Sequence, residues 1–307
     1  MADFTVHILG CGSALPTTRH LASSQVVDLR DKLYMIDCGE GTQLQMRRTR
    51  IKFARLNHVF ISHMHGDHCF GLPGLVSTLG MLGRNGELWI HGPAALGEYV
   101  ESFLRLFCQG LPFAVHFNPV DASKYGLVME DRSVSVYSIP LKHRVPCCGY
   151  LFAEKERERH IIREMIDAYQ VPVREIARIK QGADFVTEDG RVISNERLTT
   201  PASPATRYVY CSDTAYSEKI IPWIEGVDCL YHEATFDSSL LPRAKETMHS
   251  TALQAAEIAR MARVRQLIIG HFSARYTNQQ LLLDEARSVF EATTLAKDGG
   301  VYKIGTL

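Results

Sequence analysis

His63-Met64-His65-Gly66-Asp67-His68 stands directly behind the apolar run Val59-Phe60-Ile61, so three imidazoles and a carboxylate leave the end of a strand within six residues. A tight loop turns successive side chains in different directions, with His63 and His65 on one side and Asp67 and His68 on the other. A single histidine here would cap a strand or pack alone. Four ligand-type residues at this density point to metal binding, and imidazole with carboxylate suits Zn²⁺, although Mn²⁺ or Fe²⁺ fits the same donors. Two directions suggest two ions, and two four- or five-coordinate ions need more donors than this loop holds.

Three further candidates lie at other strand ends. His143 follows the β-type run Ser133–Ile139, Asp213 follows Tyr208–Cys211, and His271 follows Gln266–Ile269. In α/β proteins, ligands gather at the carboxyl ends of strands, where all of these residues fall. The remaining β-type runs are Thr5–Leu9, Gln25–Asp28, Leu33–Ile36, His58–Ser62 and Cys229–His232. Between them Gly41–Arg48, Leu72–Leu82, Ala94–Phe107, Ala252–Met261 and Gln279–Phe290 carry apolar residues at spacings of three and four. Strands therefore alternate with helices, and the class is α/β with sheet strands between helical layers.

Residues Glu154 to Thr200 read differently. A polar helical stretch, Glu154–Tyr169, runs into Val171-Pro172-Val173 and a turn at Glu188-Asp189-Gly190. The expected organisation is a single domain over residues 1–307 with an arm, 154–200, inserted in it.

With 307 residues, 46% apolar and 22% charged, the chain has ample material for a core, which excludes disorder. Lys+Arg and Asp+Glu both number 34, so no global charge favours nucleic acid or a membrane surface. No apolar run reaches 18 residues, and Met-Ala-Asp-Phe-Thr-Val-His at the start has neither a basic nor an apolar signal region. A cytoplasmic protein without membrane contact is expected. The eight cysteines are scattered with no Cys-x-x-Cys pair and read as free thiols, mostly in the core.

Further motifs run through the chain in order: Leu9-Gly10-Cys11-Gly12-Ser13 with Pro16-Thr17-Thr18-Arg19, then Asp37-Cys38-Gly39-Glu40-Gly41-Thr42-Gln43. After the histidine loop come Gly71-Leu72-Pro73-Gly74, His232-Glu233-Ala234-Thr235-Phe236, His249-Ser250-Thr251 and Ser273-Ala274-Arg275-Tyr276. With these the chain resembles the metallo-β-lactamase superfamily and, within it, the ribonuclease Z family of tRNA 3′-processing endoribonucleases. The resemblance implies a four-layer αβ/βα sandwich with two Zn²⁺ per chain. One ion would be held by His63, His65 and His143, the other by Asp67, His68 and His271, and Asp213 would bridge them. It also implies precursor tRNA as partner and a homodimer whose arm serves the opposite subunit.

Two metals side by side would supply a nucleophile from water and clamp the oxygens of a phosphodiester displacement. Asp67 is placed to orient that water. His249, a histidine outside the ligand set just before a helix, is the candidate to protonate the leaving 3′ oxygen, with Glu233 orienting it as the resemblance implies. His232 stays outside the chemistry. Thr251-Ala252-Leu253-Gln254 has capping-box spacing, and the helix N-terminus it opens, with Ser273 and Arg275, is a candidate phosphate site.

RNA contact would have to be local. Arg47, Arg48, Arg50 and Lys52 lie in the acid-free segment Arg47–Arg55. Arg174, Arg178 and Lys180 gather at the tip of the arm, which as a whole is charge-balanced. Two departures from the family pattern, Val171-Pro172 for its Gly-Pro and Arg19-His20 for its Arg-Asn, bear on tRNA elbow contact and CCA discrimination. A superfamily phosphodiesterase or arylsulfatase acting on small esters is the alternative enzyme reading, and a non-catalytic RNA-binding scaffold the alternative of another class.

Overall fold

A computed structural model describes residues 4–15 and 17–305; the starting Met1-Ala2-Asp3 and Pro16 of the opening motif lie outside the described residues. In chain order the first strands are β1 (Phe4–Gly10), β2 (Ser24–Leu29), β3 (Lys32–Ile36), β4 (Leu56–Phe60), β5 (Leu88–Pro93) and β6 (Val115–Val120). Next come β7 (Gly126–Glu130), β8 (Val134–Pro140), β9 (Cys148–Glu154), β10 (His160–Ile161), β11 (Phe185–Val186), β12 (Val192–Ile193) and β13 (Thr199–Thr200). The last are β14 (Arg207–Cys211), β15 (Cys229–Glu233), β16 (Gln266–Gly270), β17 (Thr293–Leu295) and β18 (Val301–Ile304). Two seven-stranded sheets result, ordered β18-β1-β2-β3-β4-β5-β6 and β17-β16-β15-β14-β9-β8-β7.

Period-two patterning builds the layers. Along β3, Leu33 and Met35 face a cluster with Leu72, Leu75, Val76, Leu79 and Val100 of the helices Leu72–Met81 and Leu96–Phe107. Tyr34 and Ile36 of the same strand face the other way, into a core shared with Val136, Tyr150, Phe152 and Tyr208 of the second sheet. That sheet is covered in turn by the helix Ala252–Met261, whose buried stripe is Ala252, Ala255, Ala256, Ile258 and Ala259. The architecture is the αβ/βα sandwich of metallo-β-lactamase-like proteins. All eight cysteines are free and buried, and no helix among the described residues is long and apolar enough to cross a membrane.

Strands β3 to β6 are parallel, as are β14 to β17, so their carboxyl ends share one edge within each sheet. The histidine loop leaves β4, while Asp213 and His271 leave β14 and β16. Cross-sheet bonds tie these ends together: the Tyr150 hydroxyl donates to the Ile61 carbonyl at 2.7 Å, and Cys148 N–H donates to the Ser62 carbonyl at 3.1 Å. A Cβ at Gly39 would sit 2.4 Å from the Asp67 carbonyl oxygen, so only glycine lets this backbone approach the histidine loop.

The chain divides into two compact units, Glu154–Ala205 and the remainder. The smaller unit has its own core of Ile166, Val171, Ile179, Phe185, Ile193 and Leu198. Buried Asn195 ties it together, donating from Nδ2 to the carbonyls of Ile179 and Ala183. The helix expected over Glu154–Tyr169 is corrected: β9 continues through Glu154, and the helix spans only Arg163–Ala168. Lys155-Glu156-Arg157-Glu158-Arg159 offers no apolar face to bury, and a short helix without one is not stable.

Candidate metal centre

The structure brings all seven expected metal residues together. One ligand atom from each of His63, His65, His143 and Asp213 lies within 4.8 Å of the others, and the same holds for Asp67, His68 and His271. Asp213 faces both groups, one oxygen to each. Its Oδ2 is 3.6 Å from His63 Nε2 and 3.8 Å from His143 Nε2, while its Oδ1 is 3.4 Å from His68 Nε2 and 3.1 Å from His271 Nε2.

Four of the five imidazoles, those of His63, His68, His143 and His271, are oriented by a bond on the far nitrogen, as metal-ligating histidines usually are. His143 Nδ1 donates to the Met248 carbonyl at 2.9 Å, which leaves the Nε2 lone pair aimed inward. His68 Nδ1 lies 2.7 Å from Asp37 Oδ2, His63 Nδ1 lies 2.9 Å from Ser62 Oγ, and His271 Nδ1 lies 3.1 Å from Thr235 Oγ1. Asp37 is itself fully buried and also accepts from Ser62 N–H, the Ser62 hydroxyl and the Tyr210 hydroxyl. Both Asp37 and His271 hold positive φ, 56° and 60°. Backbone strain of this kind persists where surrounding structure over-determines the geometry.

The inward nitrogens crowd one another, with His63 Nε2 3.0 Å from His65 Nδ1, His143 Nε2 3.3 Å from His65 Nδ1, and His68 Nε2 3.3 Å from His271 Nε2. Lone pairs converging at these distances repel unless a proton or a cation lies between them. Burial holds His63 well below the usual imidazole range, reinforced by neighbouring His68, and lowers His65 and His143 too, so these rings are neutral and free to ligate. His68 moves the opposite way: burial lowers it, but Asp213, Asp37 and Asp67 outweigh burial and raise it well above the usual range. Three carboxylates thus face imidazoles whose lone pairs converge, and this donor set fits a pair of divalent cations.

Beside this cluster, His249 Nδ1 lies 2.8 Å from Glu233 Oε1. Glu233 is fully buried and accepts Thr214 N–H, Thr235 N–H and the Thr235 hydroxyl besides. Burial lowers the His249 pKa, but the Glu233 charge and hydrogen bond overcome it and push the imidazole up to about 9. The ring centroid lies 5.2 Å from that of His143 and 5.5 Å from that of His271, so His249 borders both groups with Nε2 unspoken for by Glu233. His232, by contrast, is buried with Nδ1 against the Glu233 backbone carbonyl at 2.7 Å.

Of the phosphate candidates, Ser273 and exposed Arg275 follow His271, with Arg275 Nε 3.2 Å from Ser273 Oγ and the guanidinium over the Phe236 ring. Thr251 is different and its expected role is corrected. The capping box forms, but Thr251 is 1% exposed and its hydroxyl is engaged with Gln254 N–H. Glu285 already brings a carboxylate to the Leu253 N–H of this helix. The anion position is therefore filled by the chain itself.

The basic candidates Arg47, Arg48, Arg50 and Lys52 are exposed. Arg47, Arg50 and Lys52 line a cleft of about 640 Å³, whereas Arg55 is spent on a two-pronged pair with Asp28. In the smaller unit Arg174 and Arg178 flank Glu175, and Lys180 lies 3.9 Å from Glu158. Asp37, Ser62, Thr235 and the Met248 carbonyl were not legible as site groups. Only Asp37, an acid ending the apolar run Leu33–Ile36, carries a sequence signal of the kind that marked Asp213.

Comparison with known proteins places the chain among relatives of similar length. A family model described as anti-Pycsar protein Apyc1 matches residues 4–94. A protein named ribonuclease Z from Parabacteroides distasonis is 68% identical over 299 residues, covering 97% of this chain and 98% of its own length. Another of that name from Bacteroides fragilis is 60% identical over 298 residues, with the same coverage of 97% and 98%. Among solved structures, the short form of human tRNase Z superposes with a TM-score of 0.70 at 25% identity, covering 98% of this chain and all of its own.

Proposed function

The chain belongs to the ribonuclease Z family, and from that premise we propose that it is an endoribonuclease that removes the 3′ trailer of precursor tRNA at a centre of two Zn²⁺. The observation that carries the two-metal reading is Asp213, which turns one oxygen to the His63–His65–His143 group and the other to the Asp67–His68–His271 group. Bound there, the cations would acidify a water and offset the charge developing on the phosphodiester oxygens.

The chain's own residues do the rest. Asp67 is fixed by the Ala14 N–H, which donates to its Oδ2 at 2.8 Å, and orients the attacking water. His249 delivers its proton from Nε2 to the leaving 3′ oxygen, so that the tRNA ends in a hydroxyl and the trailer keeps the phosphate. Glu233 holds the ring in the donating tautomer and favours its charged form. Ser273 and Arg275 hold the scissile phosphate. Residues Arg47, Arg48, Arg50 and Lys52, with Arg174, Arg178 and Lys180 of the smaller unit, meet tRNA phosphates. The family resemblance supports a cytoplasmic homodimer in which that unit acts as the tRNA-holding arm of an otherwise single domain.

The test is one assay with two substrates. Metal-loaded protein is incubated with a trailer-bearing precursor tRNA and, separately, with a small chromogenic diester, before and after chelation. Chelator-sensitive trailer removal at one internal bond supports the reading. Hydrolysis of the diester alone would leave a small-ester phosphodiesterase, and cleavage that survives chelation would overturn the metal mechanism.

A further inference from the structure

A second cluster of donors lies outside this centre. Cys11, in the Gly10-Cys11-Gly12 turn after β1, meets His20 and Asp298, and the three ligand atoms lie within 4.8 Å of one another. Cys11 Sγ is 3.5 Å from His20 Nδ1 and 3.1 Å from Asp298 Oδ1, and His20 Nδ1 is 3.5 Å from the same oxygen. Zinc bonds of about 2.3 Å to sulfur and roughly 2.0–2.1 Å to nitrogen or oxygen, at tetrahedral angles, separate such donors by about 3.3–3.6 Å. The observed triangle is close to one face of that tetrahedron.

The surroundings are those of a held ligand set. Asp298 accepts Cys11 N–H on Oδ1 and Leu21 N–H on Oδ2, so the carboxylate is fixed from both oxygens. Ile8 N–H donates to the Gly300 carbonyl and Gly299 N–H to the Ile8 carbonyl, which keeps Asp298 beside the turn. His20 Nε2 lies 3.0 Å from Gln279 Nε2, which also donates to the Tyr276 carbonyl at 3.4 Å, and turning the amide over would present its oxygen to the ring instead. Cys11 is fully buried, but the His20 and Asp298 side chains are 18% and 15% exposed and leave an approach from solvent. Burial, with the Asp298 charge added, pushes the free thiol well above its usual range, so a thiolate here requires a cation.

We propose that Cys11, His20 and Asp298 form a third metal site, for one thiophilic divalent cation such as Zn²⁺, with water or the Ala296 carbonyl at the fourth corner. The cation would displace the Cys11 proton, with His20 ligating through Nδ1 and donating its Nε2–H to the Gln279 oxygen. The site would clasp the first loop to the segment before β18. That loop carries Ala14, whose N–H holds Asp67, and Ser13, whose N–H bonds the carbonyl of Phe272 beside His271. The structural alternative is a metal-free clasp in which the thiol simply donates to Asp298.

Cobalt separates the two. None of the seven residues of the catalytic centre is a thiolate, so a near-ultraviolet sulfur-to-cobalt charge-transfer band in the full-length Co²⁺-loaded protein reports this site alone. The expected result is a band saturating at one Co²⁺ per chain, with total metal falling from three equivalents to two in Cys11→Ser or His20→Asn. The wild-type protein decides the matter even if a variant fails to fold. Absence of the band at saturating Co²⁺ overturns the proposal, and so does a band that persists in folded Cys11→Ser. Neither result depends on whether the enzyme cleaves tRNA.

Discussion

Glu233 Oε1 and His249 Nδ1 stand 2.8 Å apart, and this buried carboxylate sets both the direction and the charge of the imidazole that borders the candidate metal centre.

His249→Ala should lower kcat for precursor cleavage by about 10²–10⁴-fold while the metal content stays unchanged. Metal analysis alongside single-turnover kinetics checks it, and unchanged turnover would remove the proton-donor role. The pH profile tests the partner. A general acid must be protonated, so activity is lost as pH rises through the His249 pKa, which Glu233 raises. Glu233→Gln removes that charge, and the basic limb of the kcat profile should move to lower pH.

Asp37→Asn should weaken metal retention by roughly 10–100-fold without touching a ligand. The substitution keeps an oxygen near Ser62 and tolerates the positive φ, but it no longer offers His68 Nδ1 a charged acceptor. Retention is read by dialysis against graded chelator. Equal retention by both proteins would leave Asp37 a purely structural residue.

Arg47, Arg50 and Lys52, each changed to Gln, should flatten the log–log salt dependence of precursor binding by roughly 0.7–0.9 for every phosphate that is no longer neutralised. Hydrolysis of a small diester should not change, because none of the three belongs to the catalytic centre. An unaltered salt slope would show the cleft to be an ordinary solvated surface.

Removing the unit Glu154–Ala205 should abolish tRNA cleavage and spare diester hydrolysis. Ala153 and Arg207 are paired residues of antiparallel β9 and β14, so a short hairpin turn of about two to four residues can replace the unit without parting the strands. Equal loss of both activities would contradict the division of labour between the units.

Asp131→Ala should destabilise the protein by about 2–4 kcal/mol. Asp131, in the turn after β7, accepts Lys32 Nζ at 2.7 Å and the Tyr34 hydroxyl at 2.8 Å from β3, along with Ser133 N–H and Val134 N–H of its own turn. Burial raises its pKa, but Lys32 and these other donors more than offset that and hold the carboxyl below its usual range. Its contribution is therefore present above about pH 4, the unfolded value, and is lost as pH falls through the folded one. Denaturant melts from pH 2 to 7 should show a shallower acid limb in the variant.

The candidate metal centre was legible to the extent that chemistry is local. His63, His65, Asp67 and His68 announce themselves by density, and His143, Asp213 and His271 by following apolar runs that become β8, β14 and β16. Thr251 shows where such reading ends. Its capping box is a four-residue pattern and formed as expected, but Glu285, more than thirty residues later, reaches the same helix N-terminus and fills the anion position. Glu154–Tyr169 failed for a different reason, since charge without an apolar stripe gives a helix nothing to pack.

What the sequence by itself determined is the alternation of strands and helices and the list of donors, because side-chain periodicity and ligand chemistry act over a few residues. Only the tertiary structure decided which donors share an ion, that Asp213 faces both groups, and that Asp37, Ser62, Thr235 and the Met248 carbonyl orient the rings. Those relations arise where two sheets close on each other through Tyr150, Tyr210 and Cys148. Most of them depend on packing between segments well separated in the chain, such as Asp37 with His68 or Tyr210 with Asp37, to which no local pattern is sensitive.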